Sequence, residues 1–393
     1  MIRFGFLGLI AGLLLAGLPA RAQTAPAPFV FDNGRDAKNI PFELAGNHIY
    51  VRDRENDGAP LWFLFDSGAA ETDLLIDPKR ASQPQQSVTV ALAGVTVHSQ
   101  TLEPQSLNFA SSDGHPLDGV LTYGFIRNFV VVIDYAARTL SLYDPKSFHY
   151  EGSGERVKLT ALEADNGANL YLADLSLTSP DGKGAVGHFI VDTGVRLALT
   201  INTPFVQAHD LLASQKHTVT AVIGSGLSIK DTTLVLTRLP SVAVGGLTLN
   251  NVIAGLSQYK TGMLSLSEFD GIVGGEFLRR FRVILDETHS QMILEKNARF
   301  AEPFEYDMSG VMLLAEGEGA DTFRVHAVLA GSPAEEAGLR EGDRIVAIDG
   351  DAASAFSLQS IQELFRQAGR SHRLRIARGD QTINMTLKLR RLI

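Results

Sequence analysis

The chain has 393 residues, of which 45% are hydrophobic and 20% are charged, the composition of a globular protein long enough for two or three domains. Its formal net charge of −9 argues against a nucleic-acid partner, because phosphate backbones are bound by basic surfaces. Cysteine is absent, which excludes disulfides, thiol catalysis and cysteine-based metal sites. The ten histidines are scattered and form no HExxH pattern, so we expect no metal and no cofactor.

The N-terminal residues 1–22 have the plan of a secretory signal peptide. A basic start at Arg3 precedes an apolar run, and Ala20-Arg21-Ala22 provides a small-residue cleavage site. The alternative is a retained membrane anchor, but the apolar run of about 15 residues is short for a membrane span. We therefore expect an exported protein, periplasmic or secreted, with no membrane span after signal cleavage.

From residue 28 onward the pattern is mostly β, because short runs rich in Val, Leu, Ile and Phe are separated by Gly, Asn and Asp. One predicted strand, FLF at 63–65, is followed by Asp66-Ser67-Gly68. Taken alone, Asp-Ser-Gly after an apolar strand is typical of an ordinary turn. The stretch FIVDTG at 189–194 repeats the pattern, and this repetition calls for a further explanation.

The repeat divides most of the chain into two halves, which we place at 28–150 and 155–302. The two acidic motifs align at an offset of 126, with Asp66 matching Asp192. An internal repeat of this kind indicates two copies of one structural unit. The sequence therefore predicts two similar β lobes, each contributing one aspartate at the end of a strand.

A second pair of stretches aligns at a larger offset. DGVLTYGFIRNFVVVID at 118–134 matches DGIVGGEFLRRFRVILD at 270–286 without gaps at an offset of 152, so the second half carries 26 more residues between the anchors. GFIRNF and GEFLRRF in these stretches are predicted to form helices of about two turns each. The extra residues fall around VTAVIGSGLSIKDTTLVL at 219–236, which predicts a β-hairpin with a glycine-rich tip and a candidate flap. The candidate flap residues are Ile223, Gly224, Ser225 and Gly226.

Two acids at the ends of two matching strands are suited to acid–base chemistry. Two carboxylates brought within about 3 Å of each other cannot both ionise, so they share one proton. One of them can then take a proton from a bound water while the other gives a proton to a carbonyl oxygen. A pseudo-twofold pair of lobes is a natural way to place Asp66 and Asp192 face to face.

Both motifs, each after three apolar residues, resemble the paired Asp-Thr/Ser-Gly motifs of aspartic proteases. IVGGEFLRRFRVILDETHSQMIL at 272–294 resembles the block that follows the motif in the pepsin and retropepsin families. The resemblance implies a mostly β fold with two pseudo-symmetric lobes of the acid-protease β-barrel type. It also implies roles: catalysis for Asp66 and Asp192, loop tying for Ser67 and Thr193, and close approach of the backbone for Gly68 and Gly194.

The chain departs from that pattern in three ways. Pepsins carry their single flap in the N-terminal lobe, whereas the predicted hairpin belongs to the second half. Thr122 stands where the second half has Gly274, which leaves open whether the first lobe packs like the second. Ala69 and Val195 occupy positions where pepsins often have Ser or Thr.

The C-terminal residues 305–393 have a different pattern, which predicts strand, strand, short helix, strand, longer helix, strand, strand. AGSPAEEAGLREGDRIVAIDG at 330–350 resembles the PDZ domains of bacterial exported proteases. The resemblance implies a small α+β domain whose groove accepts peptide or protein C-termini as an added strand, with a helix at 357–368 as the other wall. The implied groove residues are Ser309, Gly310, Val311, Met312, Leu313 and Ile361.

The leading hypothesis is therefore an exported aspartic-type endopeptidase that acts on polypeptide substrates, with a PDZ module that binds peptides or proteins. An alternative is a catalytically silent peptide-binding or adaptor protein of the same fold. Thr122 and the missing first flap favour this alternative, but the presence of both aspartates favours the enzyme more. A serine protease with a PDZ tail is a third hypothesis, but the chain has no G-x-S-x-G or GNSGG-like signature.

Overall fold

The computed structural model of the protein describes residues 29–53, 61–71, 74–76, 87–104, 112–164, 166–224, 232–317 and 319–393. The predicted signal peptide at 1–22 lies outside the described residues, as do Ser225 and Gly226 of the predicted hairpin tip. No helix in the described part of the chain is long and apolar enough to cross a membrane.

The prediction of a mostly β chain is confirmed. The strands of the first lobe are β1 Phe29–Phe31, β2 Asp36–Ala45, β3 His48–Arg52, β4 Trp62–Phe65, β5 Leu74–Ile76, β6 Ser87–Leu92, β7 Val95–Pro104, β8 Gly119–Leu121, β9 Val130–Asp134 and β10 Thr139–Tyr143. Those of the second lobe are β11 Glu155–Glu163, β12 Asn169–Thr178, β13 Gly184–Val191, β14 Leu199–Ile201, β15 Val219–Gly224, β16 Thr232–Val244, β17 Leu247–Leu256, β18 Gly271–Val273, β19 Phe281–Asp286 and β20 Gln291–Lys296. Helices α1 Tyr123–Ile126, α2 Thr203–Ala208 and α3 Gly275–Leu278 belong to the lobes, with short 3-10 turns at Met263–Ser265 and Glu287–His289.

The two halves of the sequence repeat form the same arrangement of paired strands. In the first lobe β4 runs parallel to β8, with Phe63 opposite Gly119. In the second lobe β13 runs parallel to β18, with Phe189 opposite Gly271. A third strand completes each arrangement: β5 pairs antiparallel with β8 in the first lobe, and β14 pairs antiparallel with β18 in the second. The two aspartate motifs therefore leave equivalent strands in equivalent sheets.

A sheet shared by the two lobes holds them together. Strand β9 of the first lobe pairs antiparallel with β19 of the second, with Val131 opposite Leu285. Flanking strands extend this sheet to the order β2-β10-β9-β19-β20-β11. One continuous apolar cluster draws buried residues from both lobes. Burial of this apolar area fixes the orientation of each lobe relative to the other.

The two helices predicted from the aligned stretches are present but shorter than expected. Each of α1 and α3 spans four residues, about one turn and not two. The residues that precede them, Thr122 and Gly274, have nearly the same backbone, with φ of −97° and −116°. The threonine therefore follows the same path as the glycine, and the first lobe enters its helix as the second lobe does.

The predicted hairpin is confirmed for its described strands. Strand β15 pairs antiparallel with the first part of β16, and the rest of β16 pairs with β17. Strand β16 is 13 residues long, more than twice the length of β15. The described strands of the hairpin are therefore joined to the sheet of the second lobe through β17.

The C-terminal unit has its own sheet and its own core. Its strands are β21 Val311–Glu316, β22 Thr322–Val328, β23 Arg344–Ile348, β24 Asp351–Ala352, β25 Ser371–Arg378 and β26 Gln381–Lys388, and its helices are α4 Pro333–Glu336 and α5 Leu358–Leu364. This order matches the predicted one except for the two-residue strand β24, which the sequence did not predict. Helix α5 begins at a capping box formed by Ser357 and Ser360, and it ends earlier than the predicted residue 368. Among the described strands, β21 lies at the edge of this sheet, and it contacts α5.

The stretch RFAEPFEYD that joins the lobes to this unit is anchored to the second lobe. The fully buried Arg280 donates to the carbonyl oxygens of Arg299, at 3.1 Å, and of Glu302. Its guanidinium also lies over the ring of Phe304, 3.6 Å from the ring centre. The residues around Pro303 therefore form part of the packed body, which sequence composition around a proline does not indicate.

Candidate active site

Asp66 and Asp192 follow directly on the buried strands β4 and β13. The backbone N–H of Asp66 donates to Leu121 O at 3.1 Å, and that of Asp192 donates to Val273 O at 3.0 Å, so each is held by the strand beside it. Both acids are buried: the exposed fraction of the residue surface is 5% for Asp66 and 6% for Asp192. The apolar residues before each acid build the strand, and the Ser/Thr-Gly after it turns the chain sharply.

Two glycines allow the two loops to meet. A Cβ atom placed on Gly68 would lie 2.6 Å from Oδ1 of Asp192, and one placed on Gly194 would lie 2.5 Å from Oδ1 of Asp66. The approach is therefore reciprocal: the backbone of each motif lies against the carboxyl group of the other. Each glycine N–H also donates to the aspartate of its own motif, at 2.9 Å for Gly68 and 2.7 Å for Gly194.

The hydroxyls of Ser67 and Thr193 tie the two motifs together. The Thr193 N–H donates to Ser67 Oγ at 3.1 Å, and the Ser67 N–H donates to Thr193 Oγ1 at 3.0 Å. Each hydroxyl in turn donates across the interface, Ser67 Oγ to Val191 O at 2.9 Å and Thr193 Oγ1 to Phe65 O at 2.7 Å. Four hydrogen bonds with pseudo-twofold symmetry thus fix the position of each acid relative to the other.

The electrostatics of the pair favour a shared proton. Burial raises the pKa of Asp66 well above its usual value, and the charge of Asp192 together with a hydrogen bond between the two acids raises it further. Burial also raises the pKa of Asp192, although the hydrogen bonds from Gly194 and Asp66 act in the opposite direction. Because the two groups interact directly, these shifts belong to the pair, which titrates as one unit. At least one proton is retained well above the pH at which an isolated aspartate ionises.

Apolar residues, Ala69 and Val195, stand two positions after the motif hydroxyls. Ala69 is buried in a cluster of the first lobe, and Val195 packs against a matching cluster of the second lobe. Their carbonyl oxygens accept the N–H groups of Tyr123, at 3.0 Å, and Gly275, at 2.6 Å. Each motif loop is therefore held by the helix that follows the neighbouring strand.

Sequence patterns did not predict a buried charged cluster that links the lobes. The carboxylate of Asp113 pairs with Arg196 from the other lobe at 2.6 Å, with Nδ1 of His48 at 2.6 Å, and with the hydroxyl of Tyr50. Burial raises the pKa of Asp113, but the charges of Arg196 and His48 outweigh burial and lower it. Asn47 adds a bond to Arg196 O at 3.0 Å. The position of Arg196, two residues after the second motif, is the single signal in the sequence that points to this cluster.

Glu71 is a further carboxyl group near the site that the sequence did not single out. It lies five residues after Asp66 and is partly buried. Burial raises its pKa, and the charge of Asp66 raises it further. Its backbone carbonyl accepts the N–H of Gly124 at 3.0 Å, which joins the end of the first motif to α1.

The predicted groove residues are only partly brought together. Gly310, Val311, Met312 and Leu313 line a cavity of about 320 Å³ between β21 and α5. Ser309 and Ile361 do not belong to its walls, because both are fully buried. Gln362 of α5 and Phe365 and Arg366, which directly follow α5, line this side of the cavity instead. Ile361 is therefore a core residue, because the helical spacing that marked it as apolar also turns it inward.

The cavity is not confined to the C-terminal unit. Its walls also include residues 220–223 of β15, so the first strand of the hairpin borders it. Arg196 and Leu197, which follow the second motif, complete this side. Of the predicted flap residues, Ile223 thus lines the cavity and Gly224 ends β15, while Ser225 and Gly226 lie outside the described residues.

Comparison with known proteins identifies part of the chain. The family model of the PDZ domain matches residues 324–378. Over 74 residues the chain is 39% identical to the putative serine protease HhoA of Synechocystis sp., a match that covers 18% of this chain and 18% of that protein. The C-terminal unit therefore contains a PDZ domain, while the chain spans less than a fifth of its curated relative.

Among solved structures, the aspartic proteinase from Irpex lacteus aligns with a TM-score of 0.45 and 16% identity, covering 68% of this chain and 99% of that chain. The photosystem II D1 C-terminal processing protease aligns with a TM-score of 0.22 and 23% identity, covering 29% of each chain. Both scores are too low to decide the chemistry of this chain.

Proposed function

We propose that the protein is an exported aspartic-type endopeptidase in which Asp66 and Asp192 activate a water molecule. The observation that supports this most strongly is the reciprocal approach of each motif's glycine to the other motif's carboxyl group. A turn that served only to reverse the chain would not need two acids buried against each other. Burial of two carboxyl groups lowers the stability of the fold, and such costly arrangements are typical of functional sites.

The geometry supports a mechanism without a covalent intermediate. With one proton shared between the acids, the ionised carboxylate accepts a proton from water as the water oxygen attacks the peptide carbonyl carbon. The protonated carboxyl group donates its proton to the carbonyl oxygen, which gives a neutral tetrahedral diol. Collapse of the diol breaks the C–N bond as the leaving nitrogen takes the proton of the protonated carboxyl group. A diol hydroxyl returns its proton to the ionised carboxylate, which restores the singly protonated dyad.

The serine hydroxyl in the first motif is not placed to act as a nucleophile. Ser67 Oγ donates to Val191 O and accepts the N–H of Thr193, so its role is to tie the two motifs. A serine nucleophile instead needs a base that accepts its proton. The similarity to a putative serine protease therefore does not transfer that mechanism to this chain.

We propose complementary roles for the other parts of the molecule. The hairpin β15–β16 closes over the bound substrate, and the PDZ domain binds polypeptide at the cavity beside that hairpin. Residues 28–150 and 155–302 form the two lobes and 305–393 the peptide-binding unit, with 1–22 directing export. Together these parts describe a peptidase with a separate docking site for polypeptides.

The test is hydrolysis of an unfolded protein by the purified chain and by Asp66→Asn and Asp192→Asn. Each variant keeps the shape of the site but cannot share the proton, so we expect the rate to fall at least about a hundredfold. Asp174→Asn serves as the control, because that carboxylate lies on the exposed face of β12 and pairs with an exposed histidine. Full activity in either dyad variant would exclude the mechanism, and an inactive parent chain would favour a silent binding protein.

A further inference from the structure

The loop that opens the PDZ domain carries three successive backbone N–H groups, those of Ser309, Gly310 and Val311. Successive N–H groups can form a nest that binds anions, and one common recognition mode captures a peptide's C-terminal carboxylate in such a nest. Gly310 adopts a φ of 75°, which shapes the loop. An empty nest here would predict a ligand that ends at this loop in a free carboxylate.

The nest is filled by the chain itself. The N–H groups of Ser309 and Gly310 donate to Oδ1 of Asp307 at 2.9 and 2.6 Å, and the Ser309 hydroxyl donates to the same oxygen at 2.6 Å. The N–H of Val311 donates to Ser309 Oγ at 3.1 Å. All three amides thus have acceptors within the domain, and the acceptor at the centre is already a carboxylate.

Asp307 is also one of the residues that line the cavity. Burial raises the pKa of Asp307 to about 6 despite the bonds from Ser309 and Gly310, so the group is largely ionised at neutral pH. Arg366, a cation of the cavity wall just beyond α5, lowers the pKa of both Asp307 and Glu276, so its charge is already shared between two acids. A second carboxylate entering the loop would have to displace Asp307 from its three donors and would be repelled by it.

We propose that the groove of the PDZ domain binds an extended internal segment of polypeptide in place of a free C-terminus. The segment would pair with the outer edge of β21 and place apolar side chains against Val311, Leu313 and Phe365. The same cavity is bordered by residues 220–223 of the hairpin, so a chain that continues past the groove meets the second lobe. This inference rests on the peptide-binding role proposed for the domain above and departs from our expectation that it receives C-termini.

The test uses one fluorescently labelled random hexapeptide pool prepared in two forms, as free acids and as C-terminal amides. Binding to the full chain is measured at pH 7.5 by fluorescence anisotropy, with Asp66→Asn present to prevent cleavage. We expect the amide pool to bind about tenfold more tightly than the acid pool. Asp307→Ala, which vacates the nest, should remove or reverse that preference, and Asp307→Asn, which removes only the charge, should reduce it.

Asp321→Ala is the matched control, because Asp321 is an exposed acid of the same domain outside the loop. It should leave the amide preference unchanged. Tighter binding of the acid pool to the parent would overturn the proposal, as would an amide preference that Asp307→Ala and Asp307→Asn do not alter while both variants melt like the parent. Binding of neither pool would also overturn it, and the hydrolysis assay separately reports whether the proposed peptidase activity stands.

Discussion

Two glycines decide how near the two acids lie. At Gly68 and Gly194 the backbone of one motif occupies the space beside the carboxyl group of the other, so any side chain there would separate the lobes. The loop-tying hydroxyls act at the same place, since they bridge residues 126 positions apart in the chain. Close approach and hydrogen bonding therefore act together to keep the two carboxyl groups in contact.

We expect Gly68→Ala and Gly194→Ala each to reduce hydrolysis at least about a hundredfold and to lower the melting temperature, because the new methyl group overlaps a carboxyl group. The control is Gly184→Ala, since a Cβ on Gly184 would meet nothing within 4 Å and its φ is compatible with alanine. The measurements are the rate of peptide cleavage and thermal unfolding. If both motif variants cleaved as fast as the control, close approach would not be required for the chemistry.

The dyad also predicts the dependence of the rate on pH. Burial raises the pKa of both Asp66 and Asp192 above the usual value, and the charge of Asp192 raises that of Asp66 further. The singly protonated pair therefore survives to higher pH than for two exposed acids. Activity should fall at low pH, where both acids are protonated, and fall again as the last proton leaves. We expect a bell-shaped profile with a mildly acidic optimum, whose two limbs belong to the pair.

The comparison that checks this is the pH–rate profile of the parent against Ala69→Ser and Val195→Thr. A hydroxyl at either position can donate to the ionised carboxylate and lower its pKa, so each variant should shift the optimum toward acid. An optimum of the parent near about pH 2–3, as in pepsin-like dyads of lower pKa, would contradict the argument. A failure of both variants to shift the optimum would show that residues 69 and 195 do not tune the pair.

At the scale of elements, the hairpin is the feature that breaks the symmetry of the two lobes. Strand β16 is rooted in the second lobe through β17 along most of its length, while its first residues pair with β15. Residues 220–223 of β15 face a cavity and not a packed core. A hairpin that is anchored through β17 and borders a cavity is suited to closing over a substrate.

Deletion of residues 222–228 should therefore lower kcat/KM by about tenfold or more while changing the melting temperature by only a few degrees. The rest of β16 keeps its pairing with β17, so the fold of the lobe is retained. A shortened turn at 180–183, at the opposite end of the strand that leads to Asp192, provides the control. Cleavage kinetics of the deletion variant equal to those of the parent would exclude a flap role for the hairpin.

At the scale of the whole molecule, three units are packed as one body. The two lobes share a sheet through β9 and β19. The loop before β8 touches the PDZ domain, because a Cβ on Gly114 would lie 2.8 Å from Cβ of Leu358 in α5. Arg280 anchors the connecting segment by its bonds to the carbonyl oxygens of Arg299 and Glu302. The PDZ groove is thereby placed beside the hairpin of the second lobe.

Replacement of Arg280 by Met should lower the free energy of unfolding by about 3 kcal/mol. It removes the buried ion pair with Glu276 at 3.0 Å and the donors to the carbonyl oxygens of Arg299 and Glu302. It should also make the segment 299–307 sensitive to protease under native conditions. Arg282→Met is the matched control, because Arg282 is partly exposed and pairs with Glu295 at 2.7 Å, so its loss should cost less than about 1 kcal/mol. Equal melting temperatures for the two variants would show that Arg280 does not anchor the segment.

Local patterns in the sequence were enough to predict the mostly β fold, the strands that end in Asp66 and Asp192 and the strands of the hairpin. They also predicted the order of elements in the PDZ domain, apart from the short β24. These features depend on neighbouring residues: an apolar run forms a strand, and Asp-Ser/Thr-Gly after it makes a turn, wherever the strand lies. The internal repeat added one long-range inference, because two copies of a unit place their matching residues in matching positions.

The tertiary structure alone decided which side chains meet across the chain. The ion pair of Asp113 with Arg196 joins residues far apart in sequence, and no local pattern relates them. Ile361 and Gln362 are adjacent in α5, yet one is buried and the other lines the cavity, because the helix rotates each successive side chain by about 100°. Asp307 fills the loop that sequence assigned to a ligand, since a bend of the backbone at Gly310 brings the amides onto its carboxylate. Which ion pairs form, which way a helical side chain points and which group fills a loop are all decided by packing in three dimensions. Composition and spacing along the chain do not specify them.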